Sequence, residues 1–247
     1  MFSLTGRVAL VTGASSGLGR AAASFLVKAG ARVVGLARRG DALDQWRNEA
    51  GGETAAVAAD LAADADIETL AARASEPFGA PDILINAAGL NLRQPADQVT
   101  PEGWERTIAL NLTIPFFLAQ ALVPAMREKR WGRIINFASL QSRRAFTNGI
   151  AYGASKGGVE QLTRAMAQAW SCDGINANAL APGFFPTELT GPVFSDPAVS
   201  AAHAASTCIG RNGEMADLEG PLLFLASDAS AYVTGQVLYV DGGYTAK

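Results

Sequence analysis

Two cysteines and one histidine are all the thiol and imidazole chemistry that 247 residues carry. No Cys-x-x-Cys pair occurs, so a disulfide framework is excluded and a reducing compartment fits; Cys172 and Cys208 are expected as structural thiols. His203 stands alone in an Ala-rich stretch, which leaves nothing from which to build a histidine triad or a multi-histidine metal site. It is expected on the surface, and no metal is expected. Charge is scarce too: Asp, Glu, Lys and Arg make up 17% and the net charge is −3, so no basic face awaits nucleic acid. The 49% of hydrophobic residues excludes disorder. No apolar run is expected to approach the ~18 residues that cross a bilayer. With six residues ahead of the first expected strand, neither a membrane anchor nor an export leader is expected, and the cytoplasm fits. Small-molecule chemistry in one domain, 1–247, remains.

What is present is an alternation. Short apolar runs predict strands near 7–12, 32–36, 54–59, 82–85, 132–138, 174–180 and 236–240. Helical patterns fill the gaps near 17–29, 42–50, 65–77, 103–129, 151–172 and 215–227. Strands that alternate with helices predict an α/β fold: a doubly wound parallel sheet of about seven strands with helices on both faces. The segment 186–213, broken by Pro186, Gly191, Pro192, Pro197, Gly210 and Gly213, interrupts the rhythm and reads as a lid over a substrate site. Asp41, before Ala42-Leu43, suits a helix N-cap.

Three constellations carry chemistry. Gly13, Gly17 and Gly19, with Ser15, Ser16 and Leu18 between them, lie where the first strand turns into the first helix; missing β-carbons there let a dinucleotide pyrophosphate approach the helix N-terminus. At the end of the second strand, where an acid would accept from a ribose 2′-hydroxyl, the chain has Ala37 followed by Arg38 and Arg39. Arg38 is suited to a 2′-phosphate, so NADP(H) is favoured over NAD(H), although Ser16 occupies a position that could have carried a second cation. Tyr152 and Lys156, four residues apart, would share one helix face, where the ammonium can stabilise a phenolate. Ser139 closes the strand just before them.

Together these motifs resemble the short-chain dehydrogenase/reductase family from end to end, from Gly6-Arg7-Val8-Ala9 to Val240-Asp241-Gly242-Gly243. The resemblance implies an NAD(P)-dependent oxidoreductase acting on CH–OH groups, with Ser139 bonding the substrate oxygen, Tyr152 as proton donor, Lys156 on the nicotinamide ribose, and Asn111 kinking a helix and holding a water of the proton relay. It places Asp60 and Leu61 at the adenine, Asn86, Ala87, Ala88 and Gly89 beside the ribose, and Pro182, Gly183, Phe185 and Thr187 at the carboxamide. Around Gln141 and Phe184 the chain is similar to gluconate 5-dehydrogenases, and Arg93 and Arg143 are candidates to clamp a substrate carboxylate. The alternatives are a 3-oxoacyl-(acyl carrier protein) reductase, with Arg127, Lys129 and Arg130 as docking patch, a general carbonyl reductase, or a cofactor-sensing scaffold without catalysis. A homotetramer built on the helices near 103–129 and 151–172 and on the region of Tyr244 is also implied.

Overall fold

The computed structural model describes residues 2–62 and 66–247. Seven strands, β1 (Val8–Thr12), β2 (Arg32–Ala37), β3 (Thr54–Ala58), β4 (Ile83–Asn86), β5 (Gly132–Phe137), β6 (Ile175–Pro182) and β7 (Val237–Val240), form one sheet in the order β3-β2-β1-β4-β5-β6-β7. Every pairing is parallel. The helices are α1 (Gly17–Lys28), α2 (Gly40–Ala50), α3 (Ile67–Ser75), α4 (Pro101–Ile108), α5 (Ile114–Lys129), α6 (Ile150–Trp170), α7 (Gly191–Phe194), α8 (Pro197–Ser206) and α9 (Glu219–Ala226).

A strand buried on both faces needs a continuous apolar run, and β1 is buried throughout. Alternate residues then serve opposite layers. Ala9 and Val11 face a core with Leu26, Trp46 and Leu222 from α1, α2 and α9; Leu10 faces a second core with Leu70, Leu118 and Met166 from α3, α5 and α6. Strand order reverses between β1 and β4, which opens a crevice at the carboxyl ends of these central strands.

Several expectations are corrected. The helix expected over 103–129 is α4 and α5 joined by a π-helical turn at Ala109–Thr113, with Asn111, where the resemblance implies a kink, inside it. The continuous span Pro101–Lys129 is, by length and composition, apolar enough to cross a membrane, contrary to the expectation that no such segment exists. Leu118, Ala119, Leu122, Val123 and Met126 on it belong to the core beneath the sheet. Asp41 is not an N-cap: α2 starts two residues earlier than expected, Arg39 holds the cap position, and Asp41 lies in the first turn, where its charge suits the helix dipole. Cys172 and Cys208 are exposed free thiols rather than core residues. The expected start of the third helix, residue 65, lies outside the described residues; from Asp66, whose carboxylate accepts from Thr69 N at 3.0 Å, α3 is regular. The segment 186–213 contains α7 and α8, the latter capped by Asp196 with Pro197 in its first turn.

Candidate active site

A cleft of about 860 Å³ runs along the carboxyl ends of the strands, lined at one end by the glycine-rich turn and at the other by Ser139, Tyr152 and the segment after β6. Its first wall is set by backbone geometry. Gly13 has φ +73, and a Cβ on Gly19 would stand 2.4 Å from the Gly13 carbonyl oxygen, so any side chain there would force the turn open. Thr12 Oγ1 accepts from the amides of Ala87 and Ala88 at 3.1 Å each, tying the turn to the loop after β4. Ser15, Ser16, Gly17, Leu18, Arg38, Asp60, Leu61, Ala87, Ala88, Gly89, Pro182, Gly183, Phe185 and Thr187 all line the cleft. Arg38 Nη1 lies 3.9 Å from Asp60 Oδ2, both side chains substantially exposed. Asn86 stands apart from this group: it is buried in the sheet, donating to Asn136 Oδ1 at 2.9 Å and to the Pro115 carbonyl at 3.4 Å, and so ties β4 to β5 instead of lining the cleft. The side chain of Phe185 packs into the core against Gly213, and its carbonyl accepts from Thr190 Oγ1 at 2.5 Å.

At the other end Ser139, following β5, accepts from Gln141 N at 3.1 Å and lines the cleft beside the Tyr152 phenol, on whose ionisation it acts. One turn along α6, Lys156 is buried, donates from Nζ to the Phe137 carbonyl at 2.5 Å, and stands 5.6 Å from the Tyr152 ring centroid. Burial lowers the Lys156 ammonium to about 8, because the charged form loses its hydration. Burial likewise raises the Tyr152 phenol above its ordinary value, with the Ser139 hydroxyl and the Arg93 charge acting in the opposite sense. The phenol is therefore protonated across the neutral range, the form a proton donor requires.

Asn111 lies behind the cleft. The π turn directs its amide to Leu90, whose N–H it accepts at 2.9 Å and whose carbonyl it bonds at 3.0 Å, and to Ser155 Oγ at 3.0 Å. Ser155 Oγ in turn donates to the Tyr152 carbonyl at 2.7 Å, so one asparagine fixes the loop after β4 against the helix that carries the tyrosine.

Arg93 and Phe184 line the substrate end, as does Gln141, whose Oε1 is buried with no hydrogen-bond partner among the described residues. Arg143, expected there, is elsewhere: its guanidinium pairs with Glu160 at 3.2 Å and lies over the Tyr239 ring at 4.9 Å. His203 corrects the expectation in the other direction. It stacks on Phe184 with centroids 3.7 Å apart, with Phe146 and Tyr244 beside the pair, and it lines the cleft. The signal for it was the Asp196-Pro197 helix start, which sets the face of α8 that His203 occupies.

The family model described as enoyl-(acyl carrier protein) reductase matches residues 13–245. Gluconate 5-dehydrogenase of Gluconobacter oxydans is 39% identical over 249 residues, covering 99% of this chain and 97% of that protein. The rhamnolipid-biosynthesis 3-oxoacyl-(acyl carrier protein) reductase of Pseudomonas aeruginosa is 37% identical, covering 98% of each. The crystal structure of a gluconate 5-dehydrogenase from Burkholderia cenocepacia, in complex with NADP and tartrate, superposes with a TM-score of 0.93 at 38% identity over 100% of this chain and 98% of that one. Architecture, cleft and sequence agree: the chain belongs to the short-chain dehydrogenase/reductase family and is an NAD(P)-dependent oxidoreductase acting on a CH–OH group.

Proposed function

We propose that the protein interconverts a secondary alcohol and a ketone on a hydroxylated carboxylate of sugar-acid size, such as a 5-ketoaldonate, with NADP(H) preferred over NAD(H). The observation that carries this reading is the convergence of Ser139, Tyr152 and buried Lys156 on one end of a cleft that Arg93 also lines. A dinucleotide fits the other end, where the turn is wound so tightly that Gly19 leaves no space for a Cβ and bare backbone lines the cleft. When bound, the cofactor supplies or accepts the hydride. Ser139 bonds the substrate oxygen, and in reduction Tyr152 passes its phenolic proton to that oxygen. The Lys156 ammonium holds the nicotinamide ribose and stabilises the phenolate left behind. Asn111 is a positioning residue for Tyr152, through Ser155, and for the loop at Leu90. Phe184 and His203 wall the substrate, beneath a lid formed by residues 186–213.

Substrate class is supported by Arg93, whose guanidinium lies on the loop after β4 at the substrate end of the cleft. The NADP(H) preference is supported by the absence of an acid at Ala37 and by exposed Arg38 beside it. The sugar-acid reading is supported over the acyl-carrier alternative by the placement of Arg127, Lys129 and Arg130, which precede β5, at the end of the strands opposite the cleft, and pair with Asp173 at 2.7 and 3.6 Å and with Asp82 at 2.8 Å. A homotetramer is supported by exposed Trp104 and Phe117 on the α4 and α5 span, and light scattering should return about four chain masses.

The reading is tested by kcat/KM for a ketoaldonate and for a neutral ketose of the same length, in wild type and Arg93→Ala. One lost charge-assisted contact should lower the ketoaldonate value about 10- to 150-fold and leave the ketose nearly unchanged. Reduction of acetoacetyl thioesters with no turnover of any ketoaldonate would replace this reading with the acyl-carrier one.

A further inference from the structure

The chain after β6 folds back over the cleft as a strap, residues 187–190, held as a turn by Thr187 and Thr190: Thr187 N donates to Thr190 Oγ1 at 3.0 Å and Thr190 N to Thr187 Oγ1 at 3.2 Å. Two arginines from opposite sides of the cleft anchor it. Arg93 Nη2 donates to the Leu189 carbonyl at 3.0 Å. Arg39 donates from Nη1 and Nη2 to Oε1 and Oε2 of Glu188 at 3.0 and 3.2 Å, and Ser16 Oγ donates to Glu188 Oε2 at 3.2 Å.

The second anchor has the chemistry of a phosphate site. Arg39 follows the end of β2, and Ser16 belongs to the glycine turn, the two elements that flank an adenosine ribose bound in this kind of crevice. A guanidinium fork and a hydroxyl are the donors that hold a phosphate monoester, and Glu188 engages both at once. All three side chains line the dinucleotide cleft.

We propose that Glu188 is an internal stand-in for the 2′-phosphate: it engages Arg39 and Ser16 until a 2′-phosphate takes its place, NADP(H) displaces it, and NAD(H), which has no 2′-phosphate, leaves it where it is. The inference rests on the NADP(H) reading above and adds a residue that opposes it. Because the Arg39–Glu188 pair is substantially exposed, it competes weakly, and its removal strengthens 2′-phosphate binding by about three- to tenfold. Loss of this contact also releases one of the strap's two anchors, so the identity of the dinucleotide reaches the cover of the substrate site through Glu188.

The test is an equilibrium titration of the purified enzyme with 2′,5′-ADP and with 5′-AMP, in wild type, Glu188→Gln, Arg39→Ala and the double variant, with circular dichroism to verify folding. Wild type should favour 2′,5′-ADP. Glu188→Gln should bind 2′,5′-ADP three- to tenfold more tightly with 5′-AMP unchanged, and in the Arg39→Ala background that gain should vanish. A gain shared by both nucleotides, no gain, or one that persists without Arg39 would overturn the role of Glu188 while a wild-type preference for 2′,5′-ADP left the NADP(H) reading standing. Equal wild-type affinity for the two nucleotides would overturn the NADP(H) reading and this inference with it.

Discussion

Lys156 shows how much a single buried charge determines. Its ammonium titrates near 8 in the folded enzyme because burial removes water, against an ordinary value of 10.5 in the unfolded chain. Between those values the unfolded state binds more protons than the folded one, so this group makes stability rise with pH; the gain is complete above 10.5 and is lost as pH falls through 8. In cofactor-free protein, Lys156→Met should therefore compare best with wild type near pH 7 and progressively worse toward pH 10, as read from melting temperatures of both proteins across that range. A constant difference would mean that Lys156 is not desolvated. Arg143 gives the complementary case. Its partner Glu160 is a nearly buried carboxylate that also accepts from Tyr239 Oη at 2.5 Å and from Arg164 at 3.3 Å. Arg143→Ala should thus lower stability by about 1–3 kcal/mol and leave substrate selectivity unchanged, whereas a selective loss of carboxylate substrates would return it to the cleft.

At the scale of elements, the strands were legible because parallel central strands are apolar without interruption, and each expected strand lies within two residues of its observed bounds at either end. The irregularity at Asn111 was legible only through the family resemblance, since Ala109–Thr113 has ordinary helix composition, and the contacts to Leu90 and Ser155 reveal why an extra residue is inserted there. The glycine turn was legible in kind: spacing named it, and the structure adds the reason, a carbonyl of Gly13 so near Gly19 that no Cβ fits. Gly19→Ala should cost about 1–3 kcal/mol in stability and weaken NADPH binding at least tenfold, measured by fluorescence titration; unaltered binding would show that the turn yields without consequence. The strap was read only as a lid, because which arginine meets which carboxylate across 149 residues of sequence is not written in local pattern.

The whole molecule is a sheet packed by helices on both faces, and residues from nearly every crossover meet along its carboxyl edge. Sequence motifs located the two ends of this cleft; they failed at Arg143, Asn86 and His203, whose side-chain directions depend on tertiary contacts to Glu160, Asn136 and Phe184. The central claim is that Tyr152, beside Ser139 and facing the buried Lys156, moves the proton. Tyr152→Phe removes one hydroxyl and nothing else, so the measurement is kcat for NADPH-dependent reduction alongside the NADPH dissociation constant of the same preparation. The account predicts that binding stays within about twofold while kcat falls ~10²-fold or more; a variant that turns over near the wild-type rate would contradict it.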